Sequence, residues 1–478
     1  MSGGTPLRVA IVGGGVSGLA AAYALSRSPV PVHVSVIEAD QSLGGKIQTE
    51  RIGRLIVERG PDSLFLRDPD TLDVLQLLGL RDEVVRADPA HHATSILSRG
   101  RFHALPEGME TGVPRSIWPM GRTRLLSPLG KLRAAAEVGV PRSRSTGDES
   151  VDAFVRRRFG AEIAQRIAAP LLGGIYSSDT RELSLMATLP HLKKWEQEHG
   201  SLLLASIRGR LPGAPRRPSA PSPFISLRHG LSTLVSALRD GCPRADFYMG
   251  TRVKRLSFDA ESREFGLDCG DGRRLAADRV ILATPAFSSA DLVQPLSPGA
   301  AAGLRAIRYA TATVVALVFD PEVAAVIPRG SGFLVAPDEP SPLKACSWSS
   351  RKWPHCAPDG EVLIRCHLRP DVGVSDDASL VRAVLGELGR WIGLRAEPLL
   401  TRVYRWPRAI PSYGVSHLER RRGIEVALAD FPGLVVAGAG LRGIGIPECL
   451  RQGMAAAEQA ASAARPAPGG VTVNHPVG

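Results

Sequence analysis

Three glycines at the spacing G-x-G-x-x-G, namely Gly13, Gly15 and Gly18, follow the apolar run Val9 to Val12 and lead into the small-residue stretch Leu19 to Ala22. In a nucleotide cradle the first such glycine permits a tight turn, the second lets the backbone approach a pyrophosphate, and the third lets a helix close on the strand. Gly14, Val16 and Ser17 lie between them, at a helix start whose free N–H groups favour phosphate. Twenty residues past Gly18 the alternation Val32, Val34, Val36 ends at Glu38, with Ala39 beside it. A carboxylate there can accept from the ribose hydroxyls of an adenosine. A second glycine pair follows in Gly44-Gly45-Lys46. An NAD site has no need of it; FAD does, because its longer body must be followed beyond the first phosphates. Lys46 either meets a phosphate or lies in solvent. The turn Arg59-Gly60-Pro61-Asp62-Ser63 either presents N–H groups to a flavin ring or is an ordinary loop.

Other chemistries lack their residues. There is no Ser-His-Asp arrangement and no obvious general base. The six cysteines are spread without a C-x-x-C pair. Cys346, Cys356 and Cys366, with His355 and His367 nearby, lack the short paired spacings of structural zinc sites, so no metal is expected. Reduced thiols in a cytoplasmic protein are the natural reading.

The elements that must position these residues read as an α/β protein. A Rossmann-like FAD-binding domain is expected to be discontinuous, over 1–88, 224–289 and 429–465. A largely helical lobe is expected over 89–205, a Pro/Ser/Arg-rich linker over 206–223, and a mixed-sheet substrate-binding domain over 290–428. Residues 466–478 read as a disordered tail. Within this plan the patterns predict a helix from Ile163 to Leu172 that stops at Gly173-Gly174. One strand is predicted over Tyr248 to Leu256, and another over Leu434 to Gly440. A glycine turn from Gly443 to Gly453 is expected to lead into a helix from Met454 to Ala464.

A chain of 478 residues with 44% apolar content can bury more than one core. Its 59 Lys and Arg against 47 Asp and Glu give +12. Nucleic acid is not expected as a partner, since aromatics are only 5% and no zinc-finger or RNP pattern accompanies the charge. An acidic small substrate or an anionic membrane surface fits better. Genomic base composition also yields arginine beside abundant alanine and glycine. Between Arg99 and Arg144 nine basic residues face three acidic ones, a block that can meet a membrane surface, meet substrate carboxylates, or form a solvated helical face. No signal peptide and no membrane-spanning run is expected.

These motifs, together with Gly44 to Thr49, Glu58 to Ser63, Pro170 to Tyr176 and Gly445-Ile446-Pro447-Glu448-Cys449, resemble the flavin amine oxidoreductase superfamily nearly end to end. Within it the last three stretches resemble the protoporphyrinogen/coproporphyrinogen III oxidase family, closest to the soluble Gram-positive type. The resemblance implies FAD held noncovalently by Gly13 to Gly18, Glu38, Ala39, Gly45, Lys46 and Gly60, Pro61, Asp62 and Ser63. It places the backbone of Val253 at the adenine side and Trp406, Gly445, Ile446 and Pro447 near the isoalloxazine. It implies no catalytic side chain beyond the flavin, and a slot for a flat macrocycle lined by Ile175, Phe333 and Leu334, with arginines such as Arg99 or Arg101 near propionates. The implied reaction is oxygen-coupled, six-electron oxidation of coproporphyrinogen III with H2O2 as product. Hand-over of the product to a ferrochelatase and peripheral contact with a membrane are further implied partners. Thr94 stands where protoporphyrinogen-oxidising members can carry a basic residue, which favours coproporphyrinogen III over protoporphyrinogen IX. The competing readings are an amine oxidase of the same superfamily and a non-catalytic FAD-fold binding protein; the intact glycines count against the second.

Overall fold

From Val9 to Val12 the strand Leu7–Val12 is apolar on both faces, as a strand buried on both sides must be, and it becomes the centre of an all-parallel sheet. A computed structural model describes residues 5–462 apart from 67–69, 89–90, 92, 107–108, 111, 115–116, 210, 212–221, 371 and 373–375. Along the chain the elements that build the site are β1 (Leu7–Val12), α1 (Val16–Ser26), β2 (Val32–Ile37), β3 (Thr94–Ser98), β4 (Arg101–Ala104), α2 (Val151–Phe159), α3 (Ala169–Tyr176), β5 (Asp246–Tyr248) and β6 (Arg279–Leu282). They continue with β7 (Tyr309–Phe319), β8 (Gly332–Val335), β9 (Leu343–Trp348), β10 (Val362–Leu368), α4 (Asp377–Ile392), β11 (Leu400–Pro411), β12 (Leu434–Val436) and α5 (Ile446–Ser462).

The parallel sheet has the order β5-β2-β1-β6-β12. The chain leaves β1 towards β2 on one side and returns to β6 on the other, so the order reverses at the carboxyl end of β1. In open parallel sheets that crevice is where ligands bind. Helices α1 and α5 cover one face, with Leu19, Ala20, Leu450 and Ala457 in a shared core. Their close approach depends on Gly453, where a Cβ would stand 2.1 Å from the Ser17 carbonyl oxygen.

A second sheet of seven strands has the order β11-β7-β10-β9-β8-β3-β4 and is antiparallel except where β8 meets β3. Side chains alternate across it. One face buries Phe319, Phe333, Trp348, Ile364 and Cys366 with Leu380, Val384 and Leu388 of α4. The opposite face turns towards the parallel-sheet unit: Arg365 and Trp406 bond the Gly60 and Arg59 carbonyls, and Arg402 pairs with Glu50.

Five expectations are corrected. Residues 94–104 are two strands that complete the seven-stranded sheet rather than part of a helical lobe. Helix α3 runs through Gly173 and Gly174 to Tyr176 and stops at Ser177, whose left-handed φ of 49° ends it. The stretch from Tyr248 to Leu256 is two strands, Asp246–Tyr248 and Val253–Asp259, which join different sheets. The final strand is only Leu434–Val436, and α5 begins at Ile446 instead of Met454, because Pro447 in the first turn gives up no helical hydrogen bond. Most of the expected linker (210 and 212–221), Arg115 of the basic block and the expected tail lie outside the described residues.

Candidate functional site

The cradle sits at the carboxyl end of β1. Gly13 holds φ at +107°, and a Cβ there would touch the Ala283 carbonyl. A Cβ on Gly18 would fall 1.9 Å from the Gly13 carbonyl oxygen, so this position closes helix on strand. A Cβ on Gly15 would meet nothing within 4 Å, so open space lies above the helix start. Gly15 caps α1 without a side-chain hydrogen bond, and the first turn holds no acidic residue. The second glycine motif abuts the first: Gly44 donates to the Gly14 carbonyl, and Gly15 and Gly44 form a parallel bridge. The Glu38 carboxylate, at the end of β2, accepts from the N–H groups of Gly14 (2.6 Å) and Asp40 (2.8 Å), which leaves lone pairs on both oxygens. Ala39 follows it, and the Glu38 carbonyl accepts from Thr251, which carries the chain to the buried Val253.

Lys46 is partly buried and has no hydrogen-bond or ion-pair partner among the described residues. Burial lowers its pKa. A cation in that position is stabilised by an anionic ligand. Unfilled space over Gly15, free helix N–H groups and an unanswered ammonium together fit a diphosphate-bearing cofactor such as FAD.

The turn Gly60 to Ser63 packs directly on this region, since a Cβ at Gly60 would lie 2.2 Å from the Lys46 carbonyl oxygen. The seven-stranded sheet grips the turn from the other side. Trp406 Nε1 donates to the Arg59 carbonyl (2.8 Å), and Arg365 Nη2 donates to that of Gly60 (2.6 Å). Asp62 pairs with Arg365 (3.3 Å) and Lys352 (3.4 Å). Burial acts to raise the Asp62 pKa, but Lys352, Arg365 and the Ser63 hydroxyl hold it well below the usual carboxylate range. Glu58, 7% exposed, accepts from the Leu231 N–H and the Thr49 hydroxyl, and burial raises its pKa to about 7. Gly445 is exposed at the start of α5, with Ile446 and Pro447 buried behind it. Cys449, one turn on, has its thiol pushed up by burial to about 11, so it stays protonated.

The end of α3 stands over β8 and β9. Ile175 is 51% exposed there, and Leu334 reaches to 3.4 Å from where Gly174 would carry a Cβ. Phe333 departs from expectation. It is 2% exposed and packs on Phe102 and Trp348, on the α4 side of the sheet. Alternation along β8 puts it on the face opposite Leu334, so it supports the wall without lining it.

Three polar residues of the Leu334 face escaped the sequence reading. Arg365 and His367 alternate along an otherwise apolar strand, Val362–Leu368, and that period-two polarity was the available signal. Burial and then Arg365 lower the His367 pKa to about 3, so the imidazole is neutral at neutral pH. Lys344, the third, had no such signal. Parts of the basic block serve the fold: Arg99, though exposed, donates to the carbonyls of Arg124 and Leu125, and the half-buried Arg133 to those of Arg156, Arg157 and Arg158 at the end of α2. Arg101 remains exposed.

Compared with known proteins, residues 16–461 match the model of the flavin containing amine oxidoreductases. The chain is 36% identical to a coproporphyrinogen III oxidase of Propionibacterium freudenreichii subsp. freudenreichii, over 95% of this chain and 90% of that one. It is 34% identical to a coproporphyrinogen III oxidase of Bacillus subtilis, over 95% and 97%. Among solved structures, a protein of Exiguobacterium sp. 255-15, provisionally described as a protoporphyrinogen oxidase, superposes with a TM-score of 0.84 at 29% identity, over 95% of this chain and 99% of that one.

Proposed function

The chain belongs to the flavin-containing amine oxidoreductase family, as an FAD enzyme of its porphyrinogen oxidase branch, and on that premise we propose that it oxidises coproporphyrinogen III to coproporphyrin III in haem biosynthesis. The observation that carries this reading is the full-length correspondence, at 34–36% identity, with relatives named for that activity. The geometry agrees with it. A cofactor cradle and a mixed sheet face each other across the turn Gly60 to Ser63, and the end of α3 closes one side. Protoporphyrinogen IX is the second reading, favoured by the name of the Exiguobacterium structure.

Bound FAD supplies the two-electron acceptor for each of the three oxidation steps. Our reading gives the chain's residues the remaining tasks. Gly13 to Gly18 and Gly45-Lys46 hold the diphosphate, and Glu38 with Ala39 and the Val253 backbone hold the adenosine end. Gly60 to Ser63, fixed by Trp406, Arg365 and Lys352, and the α5 start at Gly445 to Pro447 orient the reactive ring. Ile175 and Leu334 exclude water from the macrocycle face. Each step removes a hydride and a proton from the porphyrinogen, and O2 takes up two electrons and two protons to give H2O2. The hand-over of coproporphyrin III to a ferrochelatase is part of the same reading. So is contact with an anionic membrane surface, supported by the exposed Leu129 and Leu132 beside Lys131; no helix among the described residues is long and apolar enough to cross a membrane.

The test is anaerobic. Coproporphyrinogen III added to the yellow holoenzyme should bleach the flavin absorption within one turnover, and air should restore it. A flavin that keeps its colour with this substrate would refute the reading.

A further inference from the structure

Resting on the coproporphyrinogen reading, we propose that Lys344 receives a carboxylate of the substrate and thereby selects an acid-bearing tetrapyrrole. The register across β9 and β10 pairs Leu343 with Leu368 and Ala345 with His367, which leaves Lys344 as the extra residue of a β-bulge. Bulges re-aim side chains. This one sends Lys344 to the end of α3, where its Cε lies 3.9 Å from the position of a Gly173 Cβ and its Nζ donates to the Ser177 hydroxyl at 3.0 Å. Leu334, on the neighbouring strand, packs against the same helix end at Gly174.

The cations around Lys344 are already answered. Arg365 and Lys352 share Asp62. Arg369 donates to the carbonyls of Leu343, Pro337, Ala336 and Glu339. Lys344 has a single neutral hydroxyl and no carboxylate among the described residues. A lysine placed there for stability alone would be expected to have a buried acid beside it, since a desolvated ammonium without a counter-charge is costly. Burial, and then Arg369, lower its pKa to about 8, so the ammonium form still prevails at neutral pH. Its remaining N–H bonds have a place for an anion beside the slot that a flat, carboxylate-bearing macrocycle would occupy. Ser177 holds the ammonium in place, and its left-handed backbone, unusual for a residue with a side chain, sits at that contact.

The experiment uses holoenzyme as wild type, Lys344→Met and Lys344→Arg. It measures KM and kcat for coproporphyrinogen III, and fluorescence-quenching Kd values for coproporphyrin III and for its tetramethyl ester. Loss of one charge-assisted hydrogen bond predicts that Lys344→Met raises KM and the coproporphyrin III Kd about ten- to a hundredfold. The kcat and the ester Kd should stay near wild type, and Lys344→Arg should retain most of the affinity. Equal losses for acid and ester, or no loss for either, would overturn the assignment. Wild-type turnover separates this proposal from the reading beneath it. Normal wild-type turnover with a Lys344→Met variant that changes acid and ester binding equally, or changes neither, refutes Lys344 alone. Acid-selective binding that depends on Lys344, without turnover, refutes the catalytic reading alone.

Discussion

Gly15 and Gly18 do different work, and alanine separates them. A methyl at Gly18 collides with the Gly13 carbonyl, whereas a methyl at Gly15 touches no protein atom. Gly15 has φ −71° and ψ 176°, which alanine adopts freely. Gly15→Ala should therefore keep the thermal stability of the apoprotein and lose FAD occupancy, while Gly18→Ala loses both; flavin content and apoprotein Tm check this. Glu58 makes a prediction in pH. Its folded pKa of about 7 lies above the ordinary 4.5, so the folded state binds more protons here than the unfolded chain between those values. Stability contributed at this site falls as pH rises through that window, and the loss is complete above about pH 7. Glu58→Gln does not titrate, so the Tm advantage of wild type over the variant should shrink between about pH 5 and about pH 8. A gap that stays constant would contradict the assignment. At this scale the cradle was legible because its chemistry is local in sequence. Lys344 was not, because a bulge and a pairing between distant strands create its surroundings.

Elements that carry the site are held by contacts of backbone precision. The packing of α5 on α1 leaves no room at Gly453, where even a Cβ would meet both the Ser17 carbonyl and Ala20. Gly453→Leu should cost about 1–3 kcal/mol or more through overpacking and reduce FAD retention, because Ser17 belongs to the cradle. Gly386 is the contrast: it is exposed in the middle of α4, and a Cβ there meets nothing. Gly386→Ala should stabilise by about 0.5–1 kcal/mol. Thermal melts of both variants test the pair. Strand β1 was readable as an apolar run ending in glycines and β2 as an alternation ending at Glu38, whereas β5 was not separated from the strand that follows it. The passage of α3 through Gly173 and Gly174 was not readable, since packing there overrides the local preference of glycine for turns, and the early start of α5 was missed because Pro447 was taken as part of a turn when it stands in the first turn of the helix. Residues 94–104 were read as part of a helical lobe because, although β3 and β4 pair locally with each other, the strand that ties them into the sheet, β8, lies more than two hundred residues away.

For the whole molecule, part of the basic excess serves the fold itself. Arg133 donates to the carbonyls that end α2, and Arg157 and Arg158 share the buried Glu196 in the lobe, so some of the cations have partners within the fold. In the proposed function the substrate meets the wall built from α3 and the seven-stranded sheet, which the fold brings against the cradle formed near the start of the chain. The central claim is that this assembly oxidises coproporphyrinogen III. Initial rates of aerobic porphyrin formation from coproporphyrinogen III and protoporphyrinogen IX, measured side by side on the same holoenzyme, test it most directly. A clearly higher kcat/KM for coproporphyrinogen III is the predicted result; a preference for protoporphyrinogen IX, or turnover of neither, would contradict it.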